Sequence, residues 1–535
     1  MIINRTLILR ITLGVIILLM AWVSIIHLIA PRAVSANAPT TSFSAERAMA
    51  DLIVVSNEPH GAGSLGQAKV RDYIVEQVKA LGLAAEIETS GSLANILVRL
   101  PGTDSTKQVL VSGHYDSNSA SPGAGDDGIS VVAMLESIRV LHASPTLRND
   151  VLFFFTDAEE TGWNGVRAFL KAHPQARDET GMLLVFDARP GNAPLTLGET
   201  SPGDAWLLNH MAWLPMPVWG GSWINIQERS EMNTDYDVFQ PAGYTGILLQ
   251  NEASGTRYHT SRDTVDAVSP RLVQAYGQTM LALTKRFGNI DFSTRSAGSD
   301  LAYFTLSLVG LVAYPYWLMM VLTGLGILSL LFFIVFARWK NQLSWKRLLL
   351  GLLGLLVGIL LITLCAQLAW GIIERNQVAV EAVESGFEGS AVWQAILMSV
   401  AALFMIGLMV FLSYRLGGIH LAVVAPVIFL LLGFAFNFMT NADNPLTTPW
   451  LAWPFIGGVL GLGVLLFIKH PVLKVVLLSF SALLVLAVAL PRIWMAAYTR
   501  EDAWLTVLVV SVWMGLFAPQ VEAIFGQALS EPTNG

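Results

Sequence analysis

A single cysteine, Cys365, stands in 535 residues, so the chain can form no internal disulfide and offers no thiolate cluster for a metal. Charge is scarce too. Asp, Glu, Lys and Arg make up 13% of the chain, against about 25% in ordinary soluble domains, so a large part of it is built for an apolar surrounding. Between residues 42 and 299 there is no Lys/Arg-rich run, and the net charge is only −7, which argues against a nucleic-acid partner. That region also lacks an Asn-x-Ser/Thr glycan acceptor; the chain's one such triplet is Asn4-Arg5-Thr6. No internal repeat is present.

What is abundant is apolar length, with 54% hydrophobic residues. Ile11–Ala30 is an apolar block behind Arg5 and Arg10. After Pro315 come seven more, at 316–337, 348–372, 393–413, 419–438, 450–468, 473–490 and 503–521, each near the roughly 20 residues that cross a bilayer. One set of short loops holds Arg338, Lys340, Lys346, Arg347, Arg415, Lys469 and Lys474. The other holds Arg375, Arg492 and Arg500, with Glu374, Glu381, Glu384 and Glu388 alongside the first. The positive-inside rule makes the first set cytoplasmic and puts residues 42–299 outside. Ala36-Asn37-Ala38 leaves a cleaved signal peptide open, but the length of the first block favours an uncleaved anchor. The expected organisation is therefore a signal-anchor helix and linker over 1–41, an external globular domain over 42–299, and a transmembrane domain of about seven helices over 300–535. An external domain with neither disulfides nor glycan sites favours a bacterial inner membrane. The spans carry almost no ionisable residue at mid-depth, which favours an anchor, scaffold or platform over an ion-coupled carrier. Trp450, Trp453, Trp494 and Trp504 fall near span ends, as an aromatic belt requires. Tyr303–Pro315 reads equally as a last strand or as the start of the next span.

Within 42–299, helical and strand-like patterns alternate. Leu65–Leu81 sets Val70, Tyr73, Ile74, Val78 and Leu81 on one helical face. Apolar strands are expected at Ala94–Leu100, Gln108–Ser112, Val151–Phe155 and Met182–Phe186, with helices at about Gly128–His142 and Val166–His173. Continuous apolar strands between helices imply an α/β fold with a sheet covered on both faces. In such sheets reactive groups gather beyond the carboxyl ends of the strands.

The polar clusters lie at those ends. "VLVSGHYDS" leaves a strand with His114 and Asp116, two residues apart and so facing the same way. Asp116 can accept from one ring nitrogen while the other binds a metal, although the pair alone also suits a plain surface contact. "SPGAGDDGIS" sets Asp126 and Asp127 where a helix begins, as a cap or as a bridging carboxylate. "FFFTDAEETG" crowds Glu159 and Glu160 behind an apolar strand; if one binds metal, the other is left as a base. "LLVFDARPG" repeats the arrangement with Asp187, and "RYHTSRDTVDAV" supplies His259. Two His and several carboxylates after successive strands suit a pair of zinc ions, with manganese or cobalt as alternatives.

In that order the five motifs resemble the M28 family of zinc peptidases, the aminopeptidase Y and bacterial leucyl aminopeptidase type. More narrowly they are similar to its membrane-embedded subgroup, the endoplasmic reticulum metallopeptidase and vacuolar membrane protease group. The resemblance covers about residues 43–290 and implies a zinc-exopeptidase-like mixed sheet. It also implies two Zn²⁺ ions per chain, one held by His114 and Asp187, the other by Glu160 and His259, with Asp126 shared. Glu159 would be the general base, Asp116 the partner orienting His114, and the peptide bond after Asp126 cis. Tyr258 is the candidate oxyanion donor, with a packed structural role equally open. The implied partners are a peptide or protein substrate and the lipid bilayer; oligomeric state is left open. The family commonly has Asn after the shared Asp, where this chain has Asp127, and "MNTDYDVF" matches a family stretch only loosely, making Asp235 structural. Trp206, Trp213, Trp219 and Trp223 suit either a specificity pocket or packing. Two other functions compete with the aminopeptidase: a single-zinc glutaminyl cyclase, and a catalytically silent receptor or assembly platform.

Overall fold

The computed structural model describes residues 5–203, 205–212, 218–220, 233–251, 257–295, 298–306, 308–375, 389–439, 449–496, 503–526 and 528–529. Trp213, Trp223, Met232, Glu381, Glu384, Glu388 and Arg500 lie outside them, as do the side chains of Trp219, Glu374, Arg492 and Trp494. The chain divides into two compact units. One is His27–Thr305 with Val309–Ala313; the other is Met1–Ile26, Leu306–Leu308 and Tyr314–Gly535.

The first unit is built on an eight-stranded mixed sheet. Its strands are β1 (Glu86–Ser90), β2 (Leu93–Leu100), β3 (Gln108–His114), β4 (Val151–Thr156), β5 (Thr180–Asp187), β6 (Leu195–Thr200), β7 (Trp219–Gly220) and β8 (Gly246–Asn251), in the order β1-β2-β4-β3-β5-β8-β6-β7. The middle four, β4, β3, β5 and β8, are parallel. β2 and β6 flank them antiparallel. The apolar runs that announced the strands are continuous because both faces are covered. Successive side chains alternate sides, and Val109, Val111, Phe153, Phe155, Leu184, Phe186, Ile247 and Leu249 join one core with helices α2 (Ala45–Val55), α4 (Ile129–His142) and the long helix Pro270–Gly288. Phe154 takes the other face, with its ring centroid 4.6 Å from that of Phe169 in α5 (Asn164–Ala172) and 6.4 Å from that of Phe239. Each such fully buried side chain contributes roughly 1.5–3 kcal/mol.

Local chemistry starts the helices where the pattern predicts. Ser44, Ser64 and Ser269 accept main-chain N–H bonds at the starts of α2, α3 (Leu65–Ala80) and Pro270–Gly288, the last with proline in its first turn. Tyr303–Pro315 forms neither a lone strand nor a span but most of a hairpin, β9 (Leu301–Leu306) and β10 (Gly310–Pro315). Trp206 packs against Phe287 and Phe292 at the edge of the core, which assigns it to packing.

The second unit is helical. Seven helices among the described residues are long and apolar enough to cross a bilayer: α1 (Arg5–Ile25), Tyr316–Trp339, Trp345–Ile373, Val392–Leu416, Gly418–Ala435, Pro449–Phe467 and Pro471–Pro491. The last apolar block is broken. Trp504–Gly515 and Ala518–Phe525 meet at 59°, with Pro519 in the first turn of the second piece, where its missing N–H cannot continue the helix before it. α1 is a packed member of this unit, its Leu13 buried with Val475 and Leu478. Arg10 donates to the Gly526 carbonyl, and Lys474 donates to the Ala528 carbonyl at 2.7 Å.

Candidate metal centre

The parallel middle of the sheet decides where the polar residues meet. β3 ends at His114, which pairs across the ladder with Thr156 at the end of β4; β5 ends at Asp187, paired with Gln250 of β8. Four strand ends therefore open on one side, and the segments that leave them carry the carboxylates.

Asp126 sits in the loop between β3 and α4. Its peptide bond to Asp127 is cis. The loop is held from outside by Asp263, whose carboxylate accepts from Gly125 N at 2.6 Å and Asp126 N at 3.1 Å. Gly125 is a necessary glycine, since a Cβ there would lie 2.4 Å from the Pro190 Cα. Asp127 turns away from Asp126's partners. It accepts from His114 N at 3.2 Å and Ala188 N at 2.8 Å, tying the ends of β3 and β5 together. An aspartate in the place where the resembled family commonly has asparagine thus serves two main-chain donors.

Two triads form, and Asp126 belongs to both. His114, Asp126 and Asp187 are all buried; Asp126, Glu160 and His259 form the second group, and within each triad one atom from every residue lies within 4.8 Å of the others. His114 Nε2 is 3.4 Å from Asp126 Oδ1, while His259 Nε2 is 3.3 Å from Asp126 Oδ2 and 3.0 Å from Glu160 Oε2. The consecutive glutamates separate after Ala158, which adopts a left-handed φ of 56°. Glu160 joins the second triad, whereas Glu159 joins neither and lies with Oε2 4.0 Å from His114 Nε2.

Asp116 departs from the expected geometry. The main-chain carbonyl of Asp116, rather than its carboxylate, lies 2.9 Å from His114 Nδ1. The carboxylate stands at 3.6 Å and accepts from Glu159 N at 3.0 Å and Glu160 N at 3.3 Å. It orients the two glutamates at least as much as the histidine. Tyr258 stacks on His259, ring centroids 3.7 Å apart, and its hydroxyl accepts a hydrogen bond from Arg189. Asp235 accepts from the Thr156 hydroxyl beneath the site.

The electrostatics are those of buried carboxylates and imidazoles packed closely together. Burial raises Glu159 well above the usual carboxylate range, Asp187 to about 6, and Asp235 and Asp263 each to about 7. Burial opposes charge on His114 as well, but Glu159, Asp116 and Asp126 overcome it and hold the imidazole well above its ordinary value. The Asp126 and Glu160 carboxylates hold His259 at about 9. Among the described buried atoms, His114 Nε2, both Asp126 oxygens, Asp187 Oδ1, Glu160 Oε1 and His259 Nε2 have no hydrogen-bond partner. Orphaned nitrogen and oxygen donors grouped this closely fit divalent cations of borderline hardness, zinc among them.

Asp127, which the sequence offers as a cap or a bridging carboxylate, instead ties two strand ends together. Arg189 and Asp263 carry no role in the sequence reading: each acts on main-chain groups or on another side chain, so nothing in its type or spacing signals it. Residues 95–284 match the family described as Peptidase family M28, and this stretch is a peptidase family M28 domain. Endoplasmic reticulum metallopeptidase 1 of Rattus norvegicus is 31% identical over 236 residues, which cover 42% of this chain and 26% of that protein. Vacuolar membrane protease of Candida albicans (strain SC5314 / ATCC MYA-2876) is 28% identical over 323 residues, covering 56% of this chain and 37% of that one. The chain thus spans between 26% and 37% of the length of these curated relatives. Among solved structures, the aminopeptidase from Aneurinibacillus sp. strain AM-1 aligns with 49% of this chain and 98% of its own at 14% identity, with a TM-score of 0.40.

Proposed function

We propose that this chain is a membrane-anchored peptidase that uses two zinc ions and removes N-terminal residues from peptides. The observation that carries the reading is the double membership of Asp126: one carboxylate offers an oxygen to each of two triads, an economical arrangement for two adjacent cations. His114 and Asp187 complete one set, Glu160 and His259 the other. Zinc held there supplies Lewis acidity that makes water a competent nucleophile near neutral pH.

The chain's own residues do the rest. Glu159, buried and outside both triads, takes a proton from the attacking water. As the new C–O bond forms, the carbonyl π electrons move onto oxygen, and Tyr258 is the hydroxyl poised to donate to that oxyanion. When the C–N bond breaks, its electron pair stays on nitrogen, and Glu159 returns the proton there. Asp116 keeps Glu159 in place through its main-chain N–H. The choice of N-terminal residues rests on the family resemblance; the names of the curated relatives support only a metallopeptidase. The charge of the short loops supports an orientation with the peptidase unit outside the cytoplasm, and its lack of disulfides and glycan acceptors supports a bacterial inner membrane.

The test is hydrolysis of aminoacyl-arylamides by the purified full chain. Glu159→Gln is expected to lose roughly 10²–10⁴-fold in kcat, the range for a general base, while binding the same amount of zinc. Equal rates in variant and wild type would remove Glu159 from its role. A wild type that binds zinc and cleaves nothing, blocked or unblocked, would favour the catalytically silent platform, and glutamine cyclisation with one zinc per chain would favour the cyclase.

A further inference from the structure

We infer that Arg189 is a positioning residue for Tyr258, directing its hydroxyl proton toward the carbonyl oxygen that gains charge during peptide hydrolysis. This rests on the peptidase reading above and extends it to a residue with no assigned part.

The Arg189 side chain is 12% exposed, and its guanidinium is engaged with the centre rather than with solvent. It donates through Nη1 to the Tyr258 hydroxyl oxygen, and its Cζ lies 4.8 Å from the centroid of the same ring. A phenol has one proton to give and two lone pairs, whereas a guanidinium only donates. With one lone pair engaged by Arg189, the Tyr258 proton must point elsewhere, and the cation beside the oxygen makes that proton a stronger donor. Stacking on His259, at 3.7 Å between centroids and 24° between planes, references the hydroxyl to one of the two triads.

The mount is rigid as well as charged. Arg189 N donates to Asn251 Oδ1 at 3.0 Å, and the Arg189 carbonyl accepts from Asn251 Nδ2 at 3.0 Å. Asn251 is fully buried at the end of β8, and its Oδ1 also accepts from the Tyr276 hydroxyl at 2.6 Å. A continuous path of hydrogen bonds therefore runs from the sheet through Asn251 and Arg189 to Tyr258. Arg189 also lies 3.6 Å from Asp187 Oδ1 and 3.9 Å from Asp126 Oδ1. If it were only a counter-charge to these carboxylates, its loss would change metal affinity or stability but would not separate transition-state from ground-state binding.

The experiment compares zinc-loaded full chains: wild type, Arg189→Lys, Arg189→Met, Tyr258→Phe and the Arg189→Met/Tyr258→Phe double variant. It reads kcat and KM on an aminoacyl-arylamide, zinc content, and calorimetric binding of an aminoalkyl boronic acid, a tetrahedral mimic, against the free amino acid. Arg189→Met and Tyr258→Phe are each expected to lower kcat and boronate affinity roughly 10- to 100-fold, with KM, amino-acid binding and zinc unchanged. The double variant is expected to be no worse than Tyr258→Phe, since both changes remove one device. Arg189→Lys, which keeps the charge but loses the planar fork, should stay nearer Arg189→Met than wild type. Multiplying effects in the double variant, full rescue by lysine, or boronate affinity untouched in Arg189→Met would overturn the inference alone. A wild type that holds zinc but neither turns over nor binds the boronate would overturn the peptidase reading and this inference with it.

Discussion

Asp263 accepts from Gly125 N, Asp126 N and the Ser121 hydroxyl, and so holds the loop on which the shared ligand sits. Removing it should leave the core intact and loosen the centre. Asp263→Ala is expected to weaken zinc binding roughly 10- to 100-fold, the usual cost of losing a group that orients a ligand. Competition against a chelating dye measures this, and unchanged affinity would show that the loop holds itself. The titrating groups give a second expectation. Without metal, Asp187 titrates at about 6, Asp235 and Asp263 at about 7, and His259 at about 9, all above their unfolded values. The stability they contribute is complete below the unfolded values and disappears as pH rises through the folded ones, from about 4 to about 9. The melting temperature of the chelated protein should therefore fall across that range. Zinc, which binds the deprotonated ligands, should flatten or reverse the slope. A chelated protein whose melting temperature holds or climbs with pH contradicts this. The residues that the motifs singled out converge here because each leaves the end of a strand in the parallel middle of the sheet. Asp263 was not legible, and Asp127 was legible only as a cap or a bridge, because a carboxylate that serves a backbone N–H looks, in sequence, like any other; Arg189 acts through a neighbouring side chain and left no signal.

The strands of the parallel middle were easy to read because burial on both faces leaves them no polar alternation to blur. β1, at the sheet's edge, has exposed Glu86, Ile87, Thr89 and Ser90, and β7 has only two residues, so neither carried an apolar run. β9 and β10 were ambiguous because an apolar hairpin and the first turns of a span share a composition. The broken last helix was missed for the opposite reason: 503–521 is apolar almost throughout, and the interruption falls between Gly515 and Pro519. Packing between elements gives a sharp prediction on Pro270–Gly288. A Cβ on Gly277 would come within 2.0 Å of the Phe43 ring, which seals α2 against this helix. Gly277→Ala should destabilise by about 1–3 kcal/mol through overpacking, despite alanine's better helix propensity. Urea unfolding measures it, and a gain in stability would mean that the Phe43 ring moves aside without cost.

The whole molecule is one chain that enters the helical unit, leaves it, and returns. Sidedness can be measured with the protein's own scarcity of thiols, since Cys365 is the only one. In intact cells, cysteine placed at exposed Asp178 should react with a membrane-impermeant maleimide, and cysteine at exposed Gln342 should not. The reverse pattern would turn the molecule over. Because α1 packs beside Pro471–Ala496, while the unit that follows it closes with the hairpin before Tyr316, the sheet-bearing unit is an insertion strung between two helices of one bundle. A domain strung this way is not shed by a single cut. A protease nicking the stretch after α1 leaves it leashed through the hairpin, and nicking the hairpin leaves it leashed through α1. Freeing it from the membrane takes both cuts, so shedding should follow the square of protease exposure rather than its first power.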